Sequence, residues 1–210
     1  MACAAHPGSL EHLIHRNRLW ASHKTKSDPA FFQRLVAQQR PRYFWIGCSD
    51  SRVPATEIVD LDPGEMFVHR NVANLASEGD PNFEATLSFA VETLGVGHVI
   101  VVGHYGCGGV HAAREPGDGA LGCWLGGLHT LFKRHQHDLA RLKEDDADNR
   151  LCELNVLDQI ARLQRHPAIV NAWRAGRQLF IHGWVYAIGD GLIADLCAPI
   201  SGPNDEGTSL

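Results

Sequence analysis

At 210 residues, the chain is long enough for one sizeable hydrophobic core and reads as a single domain. With 44% apolar and 20% charged residues it has the composition of a globular protein rather than a disordered one. A net charge of -5 gives no electrostatic reason to bind nucleic acid or an anionic membrane, and no apolar run approaches the roughly 20 residues of a membrane span. Residues 1–7 lack a basic region followed by an apolar core, so no secretory signal is expected. Six cysteines are too few for a disulfide framework, which makes a reducing cytoplasm the expected location.

Taken in order, residues 9–24 place Leu10, Leu13, Ile14 and Trp20 at helical spacing, with Ser9 as N-cap. A second helix opens with Asp28 as N-cap and Pro29 at its first position, carries Phe31, Phe32, Leu35 and Val36, and stops before Pro41. Residues 1–40 thus form a helical arm, 41–198 an α/β core, and 199–210 a polar, frayed tail. In the core, 43–48 is an apolar run without alternation and reads as a buried parallel strand. Residues 66–68 form a second strand after the turn Asp62-Pro63-Gly64.

A helix over 82–94 is capped by Asn82 and ended by Gly95, and 98–102 is a third buried strand. Helices over 121–143 and 151–163 are separated by a charged linker at 144–149. Residues 178–185 make a fourth strand, and 192–196 a short fifth one after Gly189-Asp190-Gly191. Strands alternating with helices predict an α/β fold with a mainly parallel sheet and functional residues at the strands' carboxyl ends.

Two stretches at such ends carry chemistry: Ile46-Gly47-Cys48-Ser49-Asp50-Ser51-Arg52 and Gly103-His104-Tyr105-Gly106-Cys107-Gly108-Gly109. Two thiolates and one imidazole, Cys48, His104 and Cys107, are donors that suit zinc. Three protein ligands leave a fourth position open, as catalytic zinc sites do. The alternative is two buried free cysteines. Arg52 can hold Asp50 by two parallel hydrogen bonds, keeping it an anion that orients a zinc-bound hydroxide; released, Asp50 can itself close the metal. Most of the thirteen histidines, among them His12, His15, His135, His137 and His166, read as surface residues.

These residues resemble the paired signature of the β-class carbonic anhydrases. The resemblance runs from about Leu10 to Leu196 and includes Pro63-Gly64-Glu65, His69-Arg70-Asn71-Val72-Ala73-Asn74, Cys152-Glu153-Leu154-Asn155-Val156 and His182-Gly183-Trp184. It implies zinc on Cys48, His104 and Cys107, reversible hydration of carbon dioxide to bicarbonate, and Asp50 and Arg52 as the dyad that orients the hydroxide. It further implies that the Gly108 amide and Gln39 bind substrate. The active site would lie at a dimer interface, which the helical arm would help to form, with dimers able to pair into tetramers.

Trp45, Gly47, Arg70 and Tyr186 resemble the bacterial subgroup with a non-catalytic bicarbonate site, in which bicarbonate breaks the aspartate–arginine pair. The chain departs from related sequences in having Phe89 where they have Tyr. Cys3, Cys123, Cys152 and Cys197 match no part of the ligand signature and read as buried or incidental thiols. Two other functions fit the same residues: a zinc hydrolase of the carbon disulfide type, and a non-enzymatic bicarbonate sensor.

Overall fold

The computed structural model describes residues 9–202, so Cys3, residues 1–7 and the end of the polar tail lie outside the described residues. The chain divides into two compact units, Met1–Gln39 and Arg40–Leu210. The first unit contains α1 (Glu11–Ser27) and α2 (Phe31–Ala37). Trp20 stands edge-on to Phe31 and Phe32, with ring centroids 6.5 and 5.7 Å apart. No residue of α1 is buried within the unit, and Leu10, Leu13, Ile14 and Leu19 are exposed. The first helix starts later than expected: Leu10 is its N-cap, and Ser9 Oγ accepts from the Glu11 amide at 3.4 Å. Asp28 does not cap α2 either; it accepts from the Ala30 amide and pairs with Arg34.

The second unit is built on a five-stranded sheet of order β2-β1-β3-β4-β5. β1 (Tyr43–Cys48), β2 (Met66–Asn71), β3 (His98–His104) and β4 (Phe180–Ala187) are parallel; β5 (Leu192–Asp195) returns antiparallel on β4. This is the expected mainly parallel α/β architecture. Alternate strand residues face opposite ways. Phe44, Ile46, Val99, Val101, Ile181 and Val185 join the large core on the helical side. Trp45, Ile100 and Val102 face the other way, against Val53, Ala55 and Met66. Burial on both faces is why β1 and β3 read as unbroken apolar runs.

The helices are α3 (Pro81–Ser88), α4 (Gly108–Ala112), α5 (Gly119–Leu139), α6 (Glu144–Leu163) and α7 (Pro167–Arg174). α3 is capped by Asp80, whose side chain accepts from the Asn82 amide, rather than by Asn82, and Phe89–Leu94 continues it as a π-helical turn. The charged stretch 144–149 is not a linker but the first turns of α6. Glu144, Asp145 and Asp146 complement the positive end of that helix's dipole. His166 is not a surface residue: it is 8% exposed, accepts from the Ala168 amide as N-cap of α7, and pairs with Glu84 at 2.9 Å.

α6 lies very close to the sheet, and two glycines permit it. A Cβ on Gly103 would sit 2.8 Å from Val156 Cγ2 and 2.9 Å from Cys152 Sγ. On Gly183 it would sit 2.3 Å from Ile160 Cδ1. Among the described residues no helix is long and apolar enough to cross a membrane.

Candidate metal centre

Cys48 ends β1 and His104 ends β3, so neighbouring parallel strands deliver both to one edge. Past His104 the chain turns through Gly106, at φ 68°, a left-handed conformation that suits glycine. That turn brings Cys107 back to serve as N-cap of α4. The ligand atoms of Cys48, His104 and Cys107 lie within 4.8 Å of one another, and all three residues are buried.

The geometry of this cluster fits a tetrahedral ion. The two sulfurs are 3.8 Å apart, too far for a disulfide. Two thiolates at ~2.3 Å from one zinc, at the tetrahedral angle, would be about 3.8 Å apart. His104 Nδ1 lies 3.2 Å from the Tyr105 carbonyl, which can only accept, so Nδ1 carries the hydrogen. Its Nε2 then presents a lone pair, is buried, and has no hydrogen-bond partner among the described residues. A bare imidazole nitrogen between two sulfurs is what a cation would satisfy.

Charge in the cluster is already arranged for this. The Cys107 thiol beside it lowers the pKa of Cys48 to about 4, and the Asp50 and Ala73 amides also donate to its sulfur. Cys107 is pushed up, chiefly by holding the shared proton beside that thiolate. Behind the cluster the Cys152 thiol donates to the His104 carbonyl at 3.1 Å, and burial raises its pKa to about 12. Cys152 is therefore buried and outside the three-residue cluster, but its thiol touches the backbone of His104, a member of it. Cys123 is exposed and Cys197 half-buried.

Asp50 sits at the mouth. Arg52 Nε donates to Oδ1 at 3.0 Å and Nη2 to Oδ2 at 2.7 Å; the Arg52 amide adds a third bond at 2.9 Å. The guanidinium holds the Asp50 carboxyl well below the usual carboxylate range. Asp50 Oδ2 is 3.8 Å from His104 Nε2, beside the cluster. Arg52 also reaches the Gly106 carbonyl at 3.3 Å. Arg70 straps the loop from β2, donating to the Cys48 carbonyl at 2.8 Å and the Asp50 carbonyl at 2.5 Å.

The other expected site residues are placed as follows. Gly108 is the first residue of α4, next to Cys107. Trp45, Gly47, Arg70 and Tyr186 share the sheet face opposite the helices, by strand parity and register. The Trp45 indole Nε1 would lie 2.1 Å from a Cβ at position 47, so only glycine leaves it room. Gln39 is exposed and ends the first unit. Phe89 is exposed and its ring lies 5.8 Å from that of Phe67.

A sequence model of the carbonic anhydrase family matches residues 43–193. The carbonic anhydrase of Emericella nidulans is 41% identical over 186 residues, covering 88% of this chain and 82% of that protein. The chain belongs to the β-class carbonic anhydrases. The carbonic anhydrase of Pseudomonas aeruginosa is 37% identical over 174 residues, covering 77% of this chain and 76% of that protein. Among solved structures, a Coccomyxa β-carbonic anhydrase in complex with acetazolamide superimposes with a TM-score of 0.91 at 36% identity, covering 94% and 90% of the two chains. A tetrameric β-carbonic anhydrase from Sordaria macrospora gives 0.87 at 38% identity, covering 91% and 98%. Fungal, algal and bacterial relatives together place the chain in the β-class without narrowing it to a bacterial subgroup.

Three contributors to the site were not legible as such. The Ala73 amide donates to the Cys48 sulfur through backbone alone, from a turn residue whose methyl side chain carries no chemistry. Asn155 and Gln159 on α6 hold that turn through buried amide bonds. Their helical i, i+4 spacing was visible, but an amide in a helix is usually a surface residue.

Proposed function

We propose that the protein catalyses the reversible hydration of carbon dioxide to bicarbonate and a proton, at a zinc ion held by Cys48 Sγ, His104 Nε2 and Cys107 Sγ. The observation that carries this is the buried three-atom cluster with its bare Nε2, set beside the Asp50–Arg52 pair. Zinc, when bound, supplies a Lewis acid that lowers the pKa of a water, to about 7 in the α-class carbonic anhydrases. Three protein donors leave one tetrahedral position for substrate. Asp50, kept anionic by Arg52, can only accept hydrogen bonds. Its carboxylate would accept a hydrogen bond from the nucleophilic hydroxyl group and so orient that oxygen toward carbon dioxide. Arg52 also keeps Asp50 off the metal. The Gly108 amide, at the start of α4, has no partner in the helix ladder and is free to meet a bicarbonate oxygen. For Gln39 a substrate hydrogen bond rests on the family resemblance alone.

Stopped-flow hydration by the zinc-loaded protein tests this reading. A rate well above buffer is expected, together with loss of zinc and rate in Cys48→Ser. Zinc-replete protein no faster than buffer would refute it.

A specific arrangement also favours inhibition by bicarbonate. Arg70 is bound to the carbonyls of Cys48 and Asp50, on the same sheet face as Trp45 and Tyr186. An anion held by Arg70, the Trp45 indole and the Tyr186 phenol would draw the guanidinium from the Asp50 carbonyl. That would loosen the loop and let Asp50 leave Arg52 for the metal. Added bicarbonate should then inhibit the wild type more steeply than Trp45→Phe; equal responses would remove this reading.

Assembly as a homodimer or dimer of dimers is part of the proposal. It is supported by the uncovered apolar residues of α1 and by the tetrameric Sordaria macrospora relative. Light scattering after gel filtration reads it directly. Two thiolate ligands support a reducing, cytoplasmic location.

A further inference from the structure

The stretch between β2 and α3 contains a backbone feature that its sequence does not announce. Ala73 and Asn74 are consecutive residues at φ 66° and 50°, in the left-handed region where a Cβ is unfavourable. Such a conformation persists only where the surroundings over-determine it. Here the surroundings grip it at both peptides of Ala73. Trp124 Nε1 donates to the Val72 carbonyl at 2.8 Å. Asn155 Nδ2 donates to the Ala73 carbonyl at 2.9 Å. Asn155 is fully buried and is itself held by Gln159 Nε2 at 2.9 Å, while Gln159 Oε1 accepts from the Ala76 amide at 2.9 Å.

Peptide geometry gives these bonds a direction. The Val72 carbonyl and the Ala73 N–H belong to one planar trans peptide and point opposite ways. A donor on the carbonyl side therefore aims the N–H at whatever lies across the plane, and across it lies the Cys48 sulfur. Asn155 fixes the next peptide, so neither dihedral of Ala73 is left to drift.

We propose that Trp124 and Asn155 are positioning residues of the metal site, gripping the peptides on either side of Ala73 so that its N–H meets the Cys48 sulfur. This rests on the zinc reading above. A hydrogen bond to the sulfur stabilises its negative charge and fixes its lone pairs in place for the ion, and by drawing some charge from the sulfur it leaves the ion a stronger acid. The two residues reach the metal only through backbone, and neither touches substrate.

Trp124→Phe is the first test, because it keeps an aromatic ring on a half-buried surface position and removes only the N–H donor. Asn155→Leu is the second. Each is compared with wild type in three measurements: zinc affinity by competition with a chromophoric chelator, the sulfur-to-metal charge-transfer band with cobalt in place of zinc, and the pH midpoint of kcat. Trp124→Phe should fold, bind zinc about tenfold more weakly, the low end of what removal of an outer partner costs, shift the cobalt band, and move the kcat midpoint to higher pH. Asn155→Leu, where it folds, should shift all three the same way. A folded Trp124→Phe with wild-type affinity, band and midpoint overturns the proposal, whatever becomes of Asn155→Leu. Wild-type protein that binds metal but does not hydrate carbon dioxide refutes the functional reading alone, since the cobalt spectra still judge the positioning. Protein that binds neither metal refutes both.

Discussion

Gly103→Ala tests how closely the site depends on the seating of α6. The added Cβ would fall 2.8 Å from Val156 Cγ2 and 2.9 Å from Cys152 Sγ, against an ordinary carbon contact of about 3.5–4.0 Å. Both neighbours are fully buried, and Val156 is β-branched, so its χ1 is locked in a helix. The relief must come from moving α6 outward by roughly 0.7 Å, the shortfall from that contact distance.

Overpacking of this kind costs ~1–3 kcal/mol. Position 103 lies in a strand and is not among the positive-φ glycines, so alanine returns ~0.4–1 kcal/mol by stiffening the unfolded chain. The net loss is then about 1.3 kcal/mol taken at mid-range. At ~2–4 °C per kcal/mol for a chain of this size, the melting midpoint should drop by about 4 °C. The same displacement would lengthen the Asn155–Ala73 bond from 2.9 to about 3.6 Å, beyond hydrogen-bond range. Zinc affinity should therefore fall together with stability. Differential scanning fluorimetry and chelator competition read the two effects. A variant melting within about 1 °C of wild type with unchanged zinc affinity would refute the account of α6 as a rigid backing.

Asp50→Asn keeps the shape but loses the anion, so zinc should be retained while kcat falls by about 10–100-fold, read by metal analysis and stopped flow; an unchanged kcat would deny Asp50 its part. Burial lowers the pKa of His69, His98 and His182 below the ordinary ~6.5. Between those lowered values and ~6.5 the unfolded chain binds protons that the folded chain refuses, so stability should be lost as pH falls below about 6.5. Urea unfolding at about pH 7.5 and about pH 5.5 should show that loss, and it should be smaller in His182→Phe; equal slopes would rule out the histidine origin. His166→Ala removes the N-cap of α7 and the bond to Glu84, and should cost about 1 kcal/mol, or about 3 °C in the melting midpoint. A change of nearly zero would return His166 to the ordinary surface.

The ligands and the dyad were legible because their chemistry leaves few other uses for those residue types at those positions. A cysteine and a histidine at the ends of two apolar strands, with a second cysteine three residues on, have a strong local signature. The strands were legible for a related reason: burial on both faces removes polar residues, as in β1 and β3. Helix ends were less so. Asp80 caps α3 where Asn82 was expected, and both residue types cap equally well. The stretch 144–149 looked like a linker because it is charged, yet acidic residues are favourable in the first turn of a helix. His166 looked like a surface residue because histidine usually is one, and only the tertiary fold sets it against Phe83 and Glu84 of α3.

By itself, then, the order of residues determined the parallel strands, the Cys48, His104 and Cys107 candidate metal donors and the Asp50–Arg52 pair, since each depends on side-chain chemistry or on local periodicity. Tertiary structure alone decided how the cluster is held. The left-handed turn at Ala73, the amide that reaches the Cys48 sulfur, and the grip of Trp124 and Asn155 join residues up to 107 positions apart: Cys48 and Asn155 at the extremes. Backbone groups are the same in every residue, so the sequence carries no mark of which N–H will face the metal. That direction is set only when α5 and α6 close over the sheet.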